Sequence, residues 1–494
     1  MSQHTGLRRQ TVNYGGAGSQ GLRRAVLAVT LAAAATLTPV AATAAAAVPF
    51  DAVRVAPAGT SFAAASPGAK LWAKRYNGTG NNNDVATAVA ASPDGKTVYV
   101  TGQSYGTALV TDYATVAYNA TNGTRRWVAR YQTPSGFDAP SSVAASPDGT
   151  KVFVTGKSTV GQAVNYATVA YNAATGHRLW AKGYNGPGNN SDDEATAVAV
   201  SPSSGTVYVT GFSGGNGTAT DYATIAYKAA AGTQRWVKRY NGPPGNDYDN
   251  ANSMAVSPAG MVYVTGESVG GPASGYDYAT IAYDATGHQL WVKRYTGPGG
   301  FSDDAKSVAV SPNGKTVYVT GQSWGGQTPA WDYATVAYDA VSGAQQWVRR
   351  YNGPGNAYDL ASSVAVSPTS GTVYVTGRSA GANTGADYAT IAYTATGTKR
   401  WVKRYNDTSN GDDEATSLAV SPTGKTMYVT GQSHTNTGLT YATVAYTAAG
   451  TQRWVKRPAG SILYPSSITV SPTTGTVFVT GSNTGDYTTI AYQG

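Results

Sequence analysis

One structural sentence is written eight times along this chain. A pentapeptide of the form Val-Tyr-Val-Thr-Gly begins at Val98, Val152, Val207, Val262, Val317, Val373, Met427 and Val477. A hexapeptide close to Tyr-Ala-Thr-Val-Ala-Tyr begins at Tyr113, Tyr166, Tyr222, Tyr278, Tyr333, Tyr388, Tyr441 and Tyr487. A tryptophan opens a basic segment at Trp72, Trp127, Trp180, Trp236, Trp291, Trp347, Trp401 and Trp454, at spacings of 53 to 56 residues. A period of this size means stacked supersecondary units that share one continuous core.

Each unit reads as four strands. In the first, Ala86–Ala90 ends at the turn Ser92-Pro93-Asp94-Gly95, where proline fixes φ and glycine tolerates a positive one. Thr97–Gln103, Tyr113–Asn119 and Arg125–Tyr131 follow, with Asn122-Gly123 between the last two. These stretches are rich in Val, Ile, Thr and Tyr and largely alternate, as half-buried strands do. Four short antiparallel strands per unit are the mark of a propeller blade. The array starts with a fourth-strand segment, Leu71–Tyr76, and stops after a third strand, Tyr487–Tyr492. The ends are therefore complementary. The fold predicted is an all-β, eight-bladed β-propeller, closed by an N-terminal strand that completes the last blade and hides the free sheet edges.

Ahead of the array, residues 1–24 are polar and basic, and Ala25–Ala47 is small and apolar. Ala42-Thr43-Ala44 fits a small-x-small cleavage site. Residues 1–44 are read as a signal peptide, 45–70 as a linker and 71–494 as the propeller. Arg23-Arg24 before an apolar run suits either general secretion or the twin-arginine route. The predicted location is secreted, with loose cell-wall association as a variant, and no membrane contact after signal removal. The formal charge of +9 falls to +5 when the four arginines of residues 1–44 are subtracted (9 − 4), too diffuse for a nucleic-acid face. The chain has no cysteine, which excludes disulfides and thiolate metal sites. A monomer is expected.

The corner from the third strand to the fourth runs Ala170-Tyr171-Asn172-Ala173-Ala174-Thr175-Gly176-His177-Arg178-Leu179-Trp180, and again Ala337 to Trp347; Ala282 to Trp291 is one residue shorter. This pattern resembles the tryptophan-docking motif of the eight-bladed quinoprotein (PQQ-like) propellers and their non-enzymatic relatives, and the whole repeat is similar to those of bacterial secreted propellers. The resemblance covers residues 71–494. It implies tryptophans wedged between neighbouring blades, a role that their large planar area supports independently. In its enzymatic branch it also implies pyrroloquinoline quinone, calcium and a catalytic aspartate.

Propeller ligands commonly sit on the face that carries the long loops. Two aspartate series occupy it. Asp84, Asp138, Asp193, Asp249, Asp303, Asp359 and Asp413 precede the first strands, with Leu463 breaking the pattern; Asp112, Asp221, Asp277, Asp332, Asp387 and Asp486 precede the third, with Asn165 and Thr440 as exceptions. One reading is an acidic ring for cations or basic ligands. The other is a carboxylate accepting backbone N–H groups once per blade. Asp192-Asp193-Glu194 and Asp412-Asp413-Glu414 exceed the turn requirement and are candidate metal ligands of the oxygen type that calcium takes. A unique site must arise where the repeat is broken. The loop Ser323–Trp331 carries Trp324 and Trp331, the two tryptophans outside the repeat series, and Tyr276, Tyr358, Tyr248, Phe301 and Tyr105 lie in comparable loops. Such rings stack on sugars or anchor proteins, or cover the loops beneath them. The pairs Lys238-Arg239, Lys293-Arg294 and Arg349-Arg350 are expected on the outer rim as guards against edge pairing.

No nucleophile elbow, phosphate loop or histidine cluster is present, so no catalytic residue is assigned. The chain reads as an exported, non-catalytic binding or scaffold propeller for an extracellular protein or glycan, without cofactor. The alternatives are a quinone-dependent dehydrogenase using pyrroloquinoline quinone and calcium, and a polysaccharide lyase or hydrolase.

Overall fold

In a computed structural model, the described residues are 65–494 apart from 107–109, 134–135, 189–191, 244, 246, 272–274, 327–330, 437, 459–463 and 484. Residues 1–64, the stretch read as a signal peptide and most of a linker, lie outside them, as does Leu463.

The repeat folds into eight four-stranded antiparallel sheets. Blade 1 is built from Val85–Ala91, Thr97–Tyr105, Thr111–Asn119 and Arg125–Tyr131. Blades 2 to 7 open with Ala139–Ala145, Asp193–Val200, Asp249–Val256, Asp303–Val310, Asp359–Val366 and Asp413–Val420. Blade 8 combines Tyr464–Val470, Val477–Ser482 and Tyr487–Tyr492 with Lys70–Tyr76, which pairs antiparallel with Tyr487–Tyr492. The predicted closure by an N-terminal strand is therefore what the chain does. The first strands touch one another in cyclic order, Tyr464–Val470 meeting Val85–Ala91, and so form the innermost ring. Blade 1's middle hairpin is longer than its alternation suggested, because Tyr105 pairs with Thr111 beyond the apolar core.

Three devices bind blade to blade. The indole of Trp72 donates to the Ala120 carbonyl of the next blade at 3.0 Å, and Trp127, Trp180, Trp236, Trp291, Trp347 and Trp401 repeat the bond. The same ring lies on the turn glycine: a Cβ on Gly123, whose φ is +70°, would stand 2.7 Å from Trp72. Both backbone conformation and close approach exclude a side chain there. Next, the Tyr113 hydroxyl donates to the Ala167 carbonyl of blade 2 at 3.2 Å, and Tyr487 returns the bond to Ala114 of blade 1. The third device is a β-bulge in every first strand, at Thr87, Ser141, Thr196, Asn252, Lys306, Ser362, Thr416 and Ser466. A bulge re-aims its side chain. Thr87 donates to Pro140 of the next blade, Thr196 to Ala251, and Ser466 across the closure to Ala86, each at 2.8 Å.

Candidate functional site

The aspartates before the first strands are buried, none more than 2 % exposed. Their carboxylates tie the loop arriving from the previous blade to the end of the second strand. Asp193 accepts the Gly186 N–H at 2.8 Å and the Gly214 N–H at 3.0 Å; Asp303 accepts those of Gly297 and Trp324. Asp84 does the same with Gly78 and Tyr105, and Asp138 holds Thr133. Asp249 accepts the Gly242 N–H, Asp359 that of Gly353 and Asp413 that of Asp407. Burial pushes the carboxyls of Asp84, Asp193, Asp249, Asp303 and Asp359 above the ordinary range, and that of Asp413 up to about 6.

The second series meets arginine. Asp221 takes the Arg239 guanidinium at 2.7 Å, while Arg239 also donates to Ser213 of the same blade and to the Tyr184 hydroxyl of the preceding one. Arg130 with Asp112, Arg294 with Asp277, Arg350 with Asp332 and Arg404 with Asp387 repeat the arrangement. The expectation that these arginines guard the outer rim is corrected. Five donors in a planar fork suit a junction where carboxylate, hydroxyl and carbonyl converge, so Arg239, Arg294 and Arg350 turn into the blade junctions, partly buried.

The two acidic triplets do not gather into a cage. Successive residues of a strand point to opposite faces. Glu194 pairs with Lys157 of blade 2, Asp193 faces the loop backbone, and Asp192 is exposed. Asp412 accepts the Ala386 N–H and pairs with Arg378, while Asp413 holds Asp407. Among the described residues no three His, Asp or Glu side chains stand close enough to share a metal ion.

Among the described residues the eightfold pattern on the long-loop face is broken in several places, two of which stand out. One is aromatic and spans blades 4 to 6. Trp324 and Trp331 close the middle hairpin of blade 5 as a cross-strand pair, edge to face with centroids 5.5 Å apart. Phe301, from the loop entering blade 5, packs on Trp324 at 5.8 Å, and Tyr358, from the loop entering blade 6, on Trp331 at 5.7 Å. The Trp331 N–H donates to the Ser302 carbonyl at 2.9 Å. Gly299 admits the Trp324 ring, which would meet any Cβ there at 2.2 Å. The tryptophans are half-buried, whereas Phe301 is 56 % and Tyr358 52 % exposed. Tyr276 takes in blade 4 the position that Trp331 takes in blade 5, and its neighbour Gly275 lies against the Phe301 backbone.

The other place is a charged layer at the junction of blades 4 and 5. Asn250 donates to Glu267 at 3.0 Å, Asn252 donates to Asp304 at 3.1 Å, and Lys306 pairs with Asp304. Burial, reinforced by the Asp304 charge, pushes the Glu267 carboxyl up to about 7. This group escaped sequence reasoning. The available signal was a position after the Val-Tyr-Val-Thr-Gly run that changes from Gln103 to Lys157, Phe212, Glu267 and Arg378 while its neighbours repeat.

Blade count, closure and tryptophan docking define a PQQ-like β-propeller. A family profile described as "Outer membrane protein assembly factor BamB" matches residues 33–268 and 170–328, together more than half of the chain, and the chain belongs to that family. Among curated proteins no sequence matches. Solved structures share the fold alone. Sqt1 of Chaetomium thermophilum bound to the N-terminus of the ribosomal protein L10 superposes with TM-score 0.56 and 13 % identity, covering 83 % of this chain and 97 % of that one. The C-terminal WD40 domain of Sif2 gives TM-score 0.56 and 11 % identity, covering 87 % and 100 %.

Proposed function

We propose that this propeller is an exported, non-catalytic binding scaffold that takes a protein partner on its long-loop face over blades 4 to 6. The observation that carries the reading is the cluster of Phe301, Trp324, Trp331 and Tyr358, which interrupts an otherwise repetitive ring and leaves two large rings more than half exposed. Contiguous exposed aromatics mark interaction sites rather than solvent-facing surface. A protein suits the cluster better than a glycan. Its indoles meet edge to face, and Trp331 already donates its N–H to Ser302, so no flat platform with a free donor is presented to a sugar ring.

The test compares the protein with a Phe301→Ser/Tyr358→Ser variant, both immobilised and exposed to surface proteins of the producing cells. One partner retained by the parent and lost by the variant, at equal melting temperature, is the expected result. Equal retention by both would move the site elsewhere, and capture of polysaccharide instead of protein would overturn the partner class.

A further inference from the structure

Among the described loops, the one entering blade 7 differs from the rest. Five loops place a glycine where the backbone N–H meets the first-strand aspartate: Gly78, Gly186, Gly242, Gly297 and Gly353. A Cβ on Gly353 would stand 2.2 Å from Ser379 Oγ and 2.7 Å from Asp359 Oδ1, and Gly186 is alike. A side chain rooted here emerges between a buried serine and a buried carboxylate. Blade 2 solves this with a donor: Thr133 Oγ1 gives its hydrogen to Asp138 Oδ1 at 2.9 Å. Blade 7 instead carries Asp407, 3 % exposed, against Asp413, fully buried. Two carboxylates cannot both stay ionised in such a place without a counter-charge.

The counter-charge that five other blades supply is displaced. Arg404 of blade 6 donates to Ser379, beside Asp359, and is anchored by Asp387. In blade 7 the anchoring aspartate is Thr440. Arg457 lies exposed, donating to the Tyr405 hydroxyl with its guanidinium 5.1 Å from that ring. Asp407 Oδ1 accepts from the Ser409 N–H at 2.7 Å and from the Ser409 hydroxyl. Three buried oxygens of this loop, Asn406 Oδ1, Asp407 Oδ2 and Asp413 Oδ1, and Ser433 Oγ on the second strand of blade 7 are left without a hydrogen bond. Asp249 Oδ1 and Asp359 Oδ1 share that state, so Asp413 alone would say little. What sets this loop apart is the added carboxylate beside a buried serine that no guanidinium reaches; blade 2, where Gly183 replaces the arginine, fills the same place with the Thr133 hydroxyl, to which Ser158 donates.

We propose that the loop entering blade 7 binds calcium, with the carboxylates of Asp407 and Asp413 as anionic ligands, the Ser433 hydroxyl beside them, and water completing the shell. The donor set is all oxygen, its two charges match a divalent cation, and calcium tolerates the irregular geometry of a loop. This inference is independent of the aromatic face.

The full chain, stripped with a chelator, is titrated with calcium by calorimetry and melted with and without the ion. Asp407→Gly restores the residue that five other blades carry, so the variant folds. The expected result is saturable binding at one site and a higher melting temperature with calcium for the parent, and neither for Asp407→Gly. Equal calcium responses in both proteins, or none in either, would overturn the assignment. So would binding seen only in Arg457→Ala, which would make Arg457, turned inward, the resident cation.

Discussion

Glu267 shows what a single substitution does inside a repeat. Its counterparts Gln103 and Gln322 are neutral, and Lys157 and Arg378 are paired with acids. Glu267 instead faces Asp304, and burial with that like charge holds its carboxyl up to about 7 against an ordinary 4.5. The folded state thus binds a proton that the unfolded state releases. Stability from this residue is complete below about pH 4.5, declines as the pH rises towards 7, and is lost above it. Replacing Glu267 by Gln is expected to flatten that slope and raise the melting temperature at pH 8 relative to the parent, with little change at pH 4. Melting curves across that range provide the check; parallel curves for the two proteins would refute it. At this scale the sequence was only partly readable. The buried aspartates were visible as two series, and their backbone role was one of two open readings. The arginine clamps were missed because each links a fourth strand to an aspartate earlier in its own blade and to a tyrosine one blade back. Blade 2 held the clue: it lacks both members at once, with Asn165 for the aspartate and Gly183 for the arginine.

Among elements, the fourth strand of blade 7 is the irregular one. Every other repeat tryptophan donates to a carbonyl of the next blade, but the Trp454 indole N–H is buried without an acceptor. The cause is the chain break in blade 8. Trp454 docks on Gly68 instead of an ordinary turn glycine, and the Gln493 carbonyl already accepts the Gly68 N–H at 2.7 Å. The tyrosine bond also changes. Thr488 stands where other third strands have alanine, and the Tyr441 hydroxyl meets the Tyr492 hydroxyl at 2.6 Å. Pro458 replaces the tyrosine that ends the other fourth strands. Trp454→Phe is therefore expected to cost about 1 kcal/mol less than Trp236→Phe, since only the latter breaks a hydrogen bond. Chemical denaturation of the two variants measures the difference; equal losses would mean that Trp454 finds an acceptor in solution. The strands themselves were legible, because alternation and turn chemistry agree in all eight copies. The bulges were not, since an extra residue leaves the composition of a strand unchanged.

For the molecule as a whole, stability is distributed around a ring with one weak seam, between blades 7 and 8. Opening there exposes the first strand of blade 8 before any other inner strand. Removing residues 70–76 takes away the outer strand of blade 8 and its aromatic contacts Trp72–Phe478 and Tyr76–Tyr487. The truncated chain is expected to melt at a sharply lower temperature, and amide exchange should rise first in Tyr487–Tyr492, whose outer ladder is lost. A truncation that melts like the parent would show that the ring closes without this strand. The ring and its closure could be inferred from complementary ends alone; the seam could not, because it depends on which carbonyl each indole reaches.

Closure also sets an order in time. Lys70–Tyr76 is made before any other strand of the ring, and its partner Tyr487–Tyr492 after all of them. At roughly 5–20 residues per second, the opening strand waits tens of seconds with one edge unclaimed. The ring can shut only once Tyr487–Tyr492 has been made, so blade 8 acts as a latch that waits for every other blade.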